Sequence, residues 1–313
     1  MAAPKSPRKG SLQYWPRKRA DKFLPSVNWD AIDSDKKLKG FICYKAGMTS
    51  AIVKDNTEHS MTKGKTLAVP VTIVECPNMK IFSVRFYKNG IVVKDVLAEN
   101  LDKELQRKVK LPKKRKYKMD DMKTEDYDDL RVIAYSIVKP TGIKKKPDMT
   151  EIGLTGTKEE KLGFVKENLG KEISIENIFG KGDLVDVRGL TKGKGTSGPV
   201  KRFGITLKSH KSEKGRRNPG SLGPWHPARV TFRAPQAGQL GMFTRVIYNN
   251  KILDAGKGEN KFKNLKNFGE VKTNYIVAAG SVQGPAKRQI LITAPLRETK
   301  RQIKKNLEVL DLK

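Results

Sequence analysis

The strongest limit on how this chain can fold is a long basic segment rich in glycine and proline, Val187 to Leu253. It carries fourteen basic residues and a single acidic one, Glu213. Its glycines and prolines are too frequent for a packed helix or strand, and so long a loop is unusual inside a compact enzyme domain. The segment is therefore predicted to be an extension that enters RNA.

The charge of the whole chain also indicates a polyanionic partner. Its 313 residues include 65 Lys and Arg against 33 Asp and Glu, a formal net charge of +32 at pH 7. Such self-repulsion destabilises a compact particle unless a dense polyanion neutralises it, and nucleic acid is the usual one. Only 37% of the residues are hydrophobic, so part of the chain is expected to lie outside any core.

Other classes of protein fit the sequence poorly. No stretch approaches the roughly 18–20 apolar residues that span a bilayer, and the basic N-terminus leads into no apolar region typical of a secretory signal. Cys43 and Cys76 form neither a disulfide framework nor a zinc motif, and are predicted to be buried strand residues. We expect a protein of the cytoplasm, with no membrane partner and no homo-oligomer.

Charge and turn residues divide the chain into predicted regions. Residues 1–40 are a basic, turn-rich N-terminal arm. Residues 41–90 and 180–313 carry many short strands with close turns, which favours a closed β-barrel over a doubly wound sheet. Residues 91–179 are an inserted α+β subdomain, and residues 188–245 are a long basic central extension that emerges from the barrel.

Individual elements are predicted within these regions. Thr157 and Glu160 form a capping-box pattern that starts a helix over Lys158–Leu169, and a second helical pattern covers Ala98–Lys118. A charge block over 99–130 is either a solvated loop or a contact surface. The predicted strands are Phe41–Tyr44, Met48–Val53, Leu67–Val74, Ile81–Tyr87, Leu184–Val187, Phe243–Tyr248 with Ile252–Leu253, Tyr275–Ala279 and Gln289–Thr293.

A glycine motif over Gly193–Gly198 matches the dinucleotide-binding pattern, but it is interpreted differently. The following Pro199–Gly204 is not expected to form the apolar helix that holds a pyrophosphate, and the acidic ribose partner is missing. The glycines stand among Lys192, Lys194, Lys201 and Arg202, which suits close approach to a phosphodiester backbone.

Two tryptophan motifs have alternative explanations. Trp225 lies between prolines and either packs on Phe232 or Phe203, or stacks on a base or wedges between RNA elements, with Arg229 and Arg233 on phosphates. His226 has no nearby acid that would make it a general base. In the arm, Trp15 and Trp29 accompany a basic cluster, and the arm is expected to order against some other surface, because disordered tails are poor in aromatic residues.

Ordered motifs along the chain resemble the archaeal and eukaryotic branch of the large-subunit ribosomal protein L3 family, most closely an archaeal member. The motifs that carry the resemblance are Pro7–Leu12, Pro16–Ala20, Lys39–Phe41, Lys45–Thr49, Gly182–Gly195, Gly198–Gly204, Leu222–Val230 and Pro235–Gly241.

The resemblance implies a six-stranded barrel of the translation-protein type, interrupted by a subdomain, with two extensions that thread into large-subunit rRNA. The central loop would approach the peptidyl transferase centre and shape aminoacyl-tRNA accommodation, with Trp225 at its tip and Lys192, Lys194, Lys201 and Arg202 at its root. The resemblance also implies early subunit assembly, neighbouring ribosomal proteins as partners, indirect links to A-site tRNA and translation factors, and no enzymatic activity. No cofactor is expected, since structural Mg²⁺ would belong to the rRNA.

The candidate RNA-binding residues combine the basic clusters of both extensions with their aromatic anchors. They are Arg8, Lys9, Trp15, Arg17, Lys18, Arg19, Lys192, Lys194, Lys201, Arg202, Lys208, Lys211, Lys214, Arg216, Arg217, Trp225, His226, Arg229, Arg233 and Arg245.

The sequence departs from the family at two modification sites. Glu213 aligns with a histidine that some eukaryotic members modify, and bacterial members have a modified glutamine near the position of Trp225, so neither modification carries over.

Two other functions fit the residues less well. An RNA-modifying enzyme or nuclease would need a carboxylate or metal cluster near the basic segment, and a DNA-compacting protein would normally be smaller, helical or ribbon-armed, with wedge residues.

Overall fold

A computed structural model describes residues 10–11, 13–112, 127–258 and 261–312, and the chain is mainly β. The strands are β1 Gly40–Asp55, β2 Thr66–Cys76, β3 Met79–Lys88, β4 Ile91–Leu97, β5 Asp129–Ser136, β6 Met149–Gly153, β7 Leu184–Leu190, β8 Thr196–Ser197, β9 Gly238–Gln239, β10 Thr244–Lys257, β11 Asn274–Ala279, β12 Gln289–Thr293 and β13 Leu307–Leu312. The helices are α1 Lys158–Asn168, α2 Pro199–Phe203 and α3 Lys300–Lys304.

The chain divides into two compact units. The sheet unit comprises Phe23–Gly189 and Arg245–Lys313. The arm–extension unit comprises Met1–Lys22 and Leu190–Thr244. The predicted N-terminal arm and the predicted central extension therefore contribute to the same unit, although more than 160 residues of sequence separate them.

A seven-stranded sheet organises the sheet unit. Its strand order is β12-β7-β10-β11-β2-β1-β13, and β1 also pairs with β12, antiparallel, with Gly40 opposite Thr293. One continuous strand, β1, replaces the two strands predicted at Phe41–Tyr44 and Met48–Val53. Its pairing with β2 continues between these two segments, with a shift in register between Lys45 and Gly47. The sequence analysis did not identify β13.

A second sheet of four strands has the order β4-β3-β5-β6. Its strand β3 was expected within the 41–90 segment of the barrel, but it pairs with β4 and β5 instead. The second helical prediction is wrong over its described part, where only a short 3-10 turn forms at Lys103–Arg107. Residues 113–126, the centre of the 99–130 charge block, lie outside the described residues.

One hydrophobic core is shared by both sheets. Gly40–Ala46 of β1 is buried throughout, and buried residues of β1, β3 and β5 belong to the same cluster. The hydroxyl of Tyr44 donates to the Asp148 carboxylate (2.6 Å) and lies 2.7 Å from the Ser136 hydroxyl. Burial on both faces explains why the start of β1 is a continuous apolar run rather than an alternating one.

The predicted arm of residues 1–40 is shorter in the structure. Four of its apolar residues, Leu24, Trp29, Ile32 and Leu38, are buried in the shared core. Trp29 lies so close that a side-chain carbon at Gly153 would come within 2.7 Å of it. Residues from Phe23 onward therefore belong to the sheet unit, and the surface against which Trp29 orders is the shared core.

The best-marked helix formed as predicted. In α1 the side chain of Thr157 accepts from the Glu160 N–H, while the Glu160 carboxylate accepts from the Thr157 N–H. The helix ends before Gly170, which has a positive φ of 78°. This capping satisfies N–H groups that the first turn of a helix leaves without partners.

Across the part of the chain that the structure describes, none of the helices is long and apolar enough to cross a membrane.

Candidate nucleic-acid interface

The two ends of the central extension pair with each other at its root. The Thr191 N–H donates to the Phe243 carbonyl (3.0 Å), and the Lys194 N–H donates to the Leu240 carbonyl (3.0 Å). The short strands β8 and β9 continue this antiparallel pairing. The extension therefore begins as a two-stranded ribbon, which orders its backbone despite its glycine content.

Glycine is required where the two sides of this ribbon meet. Gly241 has a φ of +78°, and a side-chain carbon there would lie 1.9 Å from the Lys192 carbonyl oxygen. A side-chain carbon at Gly238 would lie 2.9 Å from the Arg202 guanidinium. The glycines in this region thus allow close packing of backbone on backbone, in addition to any approach to phosphate.

Pro199–Gly204 does not form the apolar helix of a dinucleotide-binding turn, as expected, but it does form a short helix. Pro199 opens the five-residue helix α2, a position at which the missing N–H costs nothing, and Gly204 ends it with a φ of +70°. The helix is too short for the apolar helix of a dinucleotide-binding turn. It places Phe203 in a buried position at the root of the extension.

Arg202, predicted to bind RNA, is turned inward. Its Nε donates to the Gln239 carbonyl (3.0 Å) and its Nη1 donates to the Gln236 carbonyl (3.0 Å). The side chain is half-buried, and this burial lowers the pKa of the guanidinium from its ordinary value. Arg202 therefore joins the two sides of the extension.

The arm contacts the extension through aromatic and cationic side chains. The rings of Trp15 and Phe232 lie 4.1 Å apart, centroid to centroid, and the Arg17 guanidinium lies 4.3 Å from the centre of the Phe203 ring. The two ring planes are tilted by 36°, and aromatic pairs and cations over ring faces each contribute about 0.5–1.5 kcal/mol. Trp15 thus has a partner within the chain while about half of its surface stays exposed.

The middle of the extension is open to solvent. Between Gly204 and Arg233 every residue is exposed except Ile205, Ser212 and Pro219, which are half-buried. Trp225 is 88% exposed. Phe232 and Phe203, the packing partners considered for Trp225, instead contact Trp15 and Arg17. A hydrophobic cluster around Trp225 is therefore excluded, and an indole this exposed is available for stacking.

The predicted RNA-binding residues fall into three groups. Those that are exposed are Trp15, Lys18, Arg19, Lys192, Lys194, Lys201, Lys208, Lys211, Lys214, Arg216, Arg217, Trp225, His226, Arg229 and Arg233. Those that are half-buried are Arg17, Arg202 and Arg245. Arg8 and Lys9 lie outside the described residues.

The lysines of the extension are not neutralised by carboxylates in the part of the chain that the structure describes. Among the described residues, no ion pair involves the lysines of the extension, which are Lys192, Lys194, Lys201, Lys208, Lys211 and Lys214. Glu213 is the only carboxylate between Val187 and Leu253. Arg216 makes a local contact, donating from Nε to the Lys208 carbonyl (3.2 Å). Unpaired surface charge of one sign attracts a polyanion over several ångströms.

Two residues that the sequence analysis did not single out hold the strands from which the extension departs. Gln283 donates from Nε2 to the carbonyls of Val187 (2.9 Å) and Arg245 (3.2 Å). The buried ammonium of Lys45 donates to the carbonyls of Val282 and Gly284, on either side of Gln283. These bonds join distant segments, so no local sequence pattern indicates them.

The arrangement fits a backbone-binding surface with an aromatic anchor. Exposed lysine and arginine side chains contact phosphates without selecting a sequence, and an exposed indole stacks on an unpaired base.

Comparisons with known proteins agree with this chemistry. The family model described as Ribosomal protein L3 matches residues 1–313. The "Large ribosomal subunit protein uL3" of Methanocaldococcus jannaschii is 39% identical over 314 residues, covering 95% of this chain and 93% of that protein. The protein of the same name from Archaeoglobus fulgidus is 39% identical over 310 residues, covering 94% and 93%, respectively. The one from Methanococcus vannielii is 40% identical over 308 residues, covering 93% and 91%.

Proposed function

Because this chain belongs to the ribosomal protein L3 family, we propose that it is a structural constituent of the large ribosomal subunit and binds large-subunit rRNA. It is a ribosomal protein with a structural role rather than an enzyme. The observation that carries the rRNA-binding proposal is the extension between Gly204 and Arg233, which is almost wholly exposed and has one acidic residue. Its place of action would be the cytoplasm, in the ribosome.

Counterion release supplies the binding free energy in this proposal. Each lysine or arginine that contacts a phosphate displaces condensed cations, so affinity falls steeply as salt rises. The ordered root and the Trp15–Phe232 contact hold part of the extension in shape before it binds. Pre-ordering reduces the conformational entropy lost on binding.

Trp225 is the proposed anchor for the functional end of the extension. The extension would approach the peptidyl transferase centre, and the indole would stack there on RNA and shape the accommodation of aminoacyl-tRNA. Its 88% exposure within a run of exposed cations supports this role. A base stacked on an aromatic side chain contributes about 1–3 kcal/mol.

Further proposals follow from family membership and from the sheet topology. The strands β12, β7, β10, β11, β2 and β1 would form a closed six-stranded barrel, which the extra β12–β1 pairing supports. The four-stranded sheet and α1 would form the subdomain inserted into it. The protein would join the large subunit early in assembly beside neighbouring ribosomal proteins, with no cofactor of its own, and would affect A-site tRNA and translation factors indirectly.

Sedimentation of the endogenous protein tests the central proposal. We expect it to sediment with the large ribosomal subunit and to stay there through a high-salt wash, because an RNA-embedded extension dissociates slowly. Release at modest salt would instead identify a peripheral RNA-binding factor. Binding of the purified chain to large-subunit rRNA and to duplex DNA at matched salt separates rRNA binding from general polyanion binding, since the non-specific contribution is common to both.

Substitution of Trp225 tests the anchor. Trp225→Ala is expected to slow aminoacyl-tRNA accommodation while subunits still assemble, and Trp225→Phe, which keeps an aromatic face, is expected to restore much of the rate. Equal defects for both variants would argue against stacking.

A further inference from the structure

A second unpaired basic surface lies on the sheet unit, in a part of the sequence outside the arm and the extension. Residues 296–305 contain five cations and one carboxylate, Glu298. Four of these cations, Arg297, Lys300, Arg301 and Lys304, are exposed. Among the described residues, no ion pair involves any of the four.

The four-stranded sheet shows that the sheet unit can neutralise its own cations. Arg85 pairs with Asp95 (3.1 Å) and with Glu151 (2.9 Å). Arg131 pairs with Asp30, Asp129 and Glu151 at 2.9–3.3 Å. The arginines of that sheet thus pair with carboxylates, whereas Arg297 and Arg301 make no ion pair with Glu298 or any other described carboxylate.

The basic segment is held to the sheet at its start. The buried carboxylate of Asp186 accepts from the Leu296 N–H (2.9 Å) through one oxygen and from the Asn249 N–H (2.8 Å) through the other. The side-chain amide of Asn249 in turn donates to the Arg297 carbonyl (3.0 Å). The backbone that carries the cations is therefore fixed, although five residues are too few for a helix such as α3 to form alone.

Lys251 holds the other end of the segment and removes its negative potential. Its ammonium donates to the carbonyls of Gln302 and Ile303, each at 3.2 Å, and to the carbonyl of Lys305. The carbonyls at a helix C-terminus carry a partial negative charge, which would repel phosphate if left open. The ammonium of Lys251 covers these carbonyls and adds its positive charge to that of α3. A bound polyanion would stabilise this cluster of like charges.

We propose that residues 296–305 form a second RNA-binding surface, in which Arg297, Lys300, Arg301 and Lys304 contact the phosphates of structured RNA. This inference rests on the proposed function, since it takes the RNA to be large-subunit rRNA. RNA offers a phosphate at every nucleotide, so one backbone segment can meet several neighbouring cations. The surface gives the sheet unit a contact of its own with rRNA.

Tethered-iron cleavage tests the proposal in assembled large subunits. Both natural cysteines, Cys43 and Cys76, are fully buried, so an iron chelate added to the native protein labels an engineered surface cysteine. Thr299→Cys places it within the surface and removes no cap, because the Thr299 side chain makes no capping hydrogen bond. Lys211→Cys reports on the extension. We expect hydroxyl radicals from both positions to cut rRNA.

The outcomes separate this inference from the proposed function. Cleavage of rRNA from Lys211→Cys but only of neighbouring protein from Thr299→Cys would overturn the second surface and leave the proposed function standing. Cleavage of rRNA from neither position would count against the proposed function itself.

Charge removal gives an independent measurement. Replacing Arg297, Lys300, Arg301 and Lys304 with glutamine is expected to reduce the slope of log affinity against log salt by about 0.7–0.9 for each phosphate that the surface no longer neutralises, with large-subunit rRNA as the probe. A matched variant removes the same charge from exposed lysines elsewhere on the sheet unit, by Lys63→Gln, Lys65→Gln, Lys88→Gln and Lys103→Gln. If both variants shift the slope equally, net charge rather than a defined surface explains the binding, and the proposal fails.

Discussion

The sheet unit and the arm–extension unit are stabilised in different ways, although one chain builds both. The sheet unit buries a shared apolar core and pairs the arginines of its four-stranded sheet with carboxylates. The arm–extension unit buries few side chains, among them Phe203 and Phe243, and has one carboxylate in its long segment. The first unit gains stability from burial, whereas the second depends on backbone pairing, a few ring contacts and a partner that supplies negative charge.

This difference shows how a protein with a net charge of +32 can fold before it is neutralised. The sheet unit folds around a core and mixes carboxylates with its cations, some of them in ion pairs, whereas the arm–extension unit carries a higher density of positive charge and is more open to solvent. Charges in water repel one another weakly beyond about 8–10 Å at physiological salt.

The largest expected effect comes from a substitution in the core of the sheet unit. Phe41 is fully buried in β1, so Phe41→Ala is expected to lower the free energy of unfolding by about 3–5 kcal/mol. Trp225→Ala, at an exposed site, is expected to change it by less than about 0.5 kcal/mol. Denaturant unfolding of the full chain measures both. A comparable loss for Trp225→Ala would mean that the extension contributes to the core, and would break the distinction between the units.

A smaller effect is expected at the root of the extension. Gly241→Ala would place a carbon against the Lys192 carbonyl at a φ of +78°, a strain of about 1–3 kcal/mol or more. We expect faster hydrogen exchange at the paired amides of Thr191 and Lys194, with the unfolding midpoint of the sheet unit unchanged. The control is Gly220→Ala, which also has a positive φ but no atom within 4 Å. If Gly220→Ala accelerated hydrogen exchange at Thr191 and Lys194 equally, the cause would be the backbone conformation of glycine rather than close packing.

The smallest effect is expected for the contact between the arm and the extension. A double-mutant cycle of Trp15→Ala and Phe232→Ala should give a coupling free energy of about 0.5–1.5 kcal/mol, because the two rings are in contact. Protection of the extension against proteolysis provides the measurement. A second cycle pairs Trp15→Ala with Trp225→Ala, whose indole is not its partner, and should be additive. Coupling in the second cycle but not in the first would refute the contact between Trp15 and Phe232.

Local signals in the sequence predicted elements that local interactions stabilise. The capping box at Thr157 and Glu160 placed α1 to within one residue, and β12 was predicted with its observed bounds, Gln289–Thr293. Local sequence patterns did not predict which distant strands pair with each other. The strand at Ile81–Tyr87 was recognised, but nothing in its composition showed that it belongs to the four-stranded sheet.

The candidate site shows the same limit. Glycine content and charge predicted an exposed basic extension, and proline neighbours drew attention to Trp225. The inward turn of Arg202 and the Trp15–Phe232 contact depend on residues far apart in sequence. Proline disfavours the interior of a helix, but Pro199 stands at the first helical position, where it favours one.

The pairing of β1 with β12 also sets a timetable for synthesis. Gly40 cannot meet Thr293 until the whole intervening chain has been made, which takes on the order of 10–50 seconds at about 5–20 residues per second. The extension, Leu190–Thr244, is completed earlier than β12. A nascent molecule therefore presents its basic extension to the cell before its main sheet can be finished, so premature encounters with polyanions compete with folding at that stage.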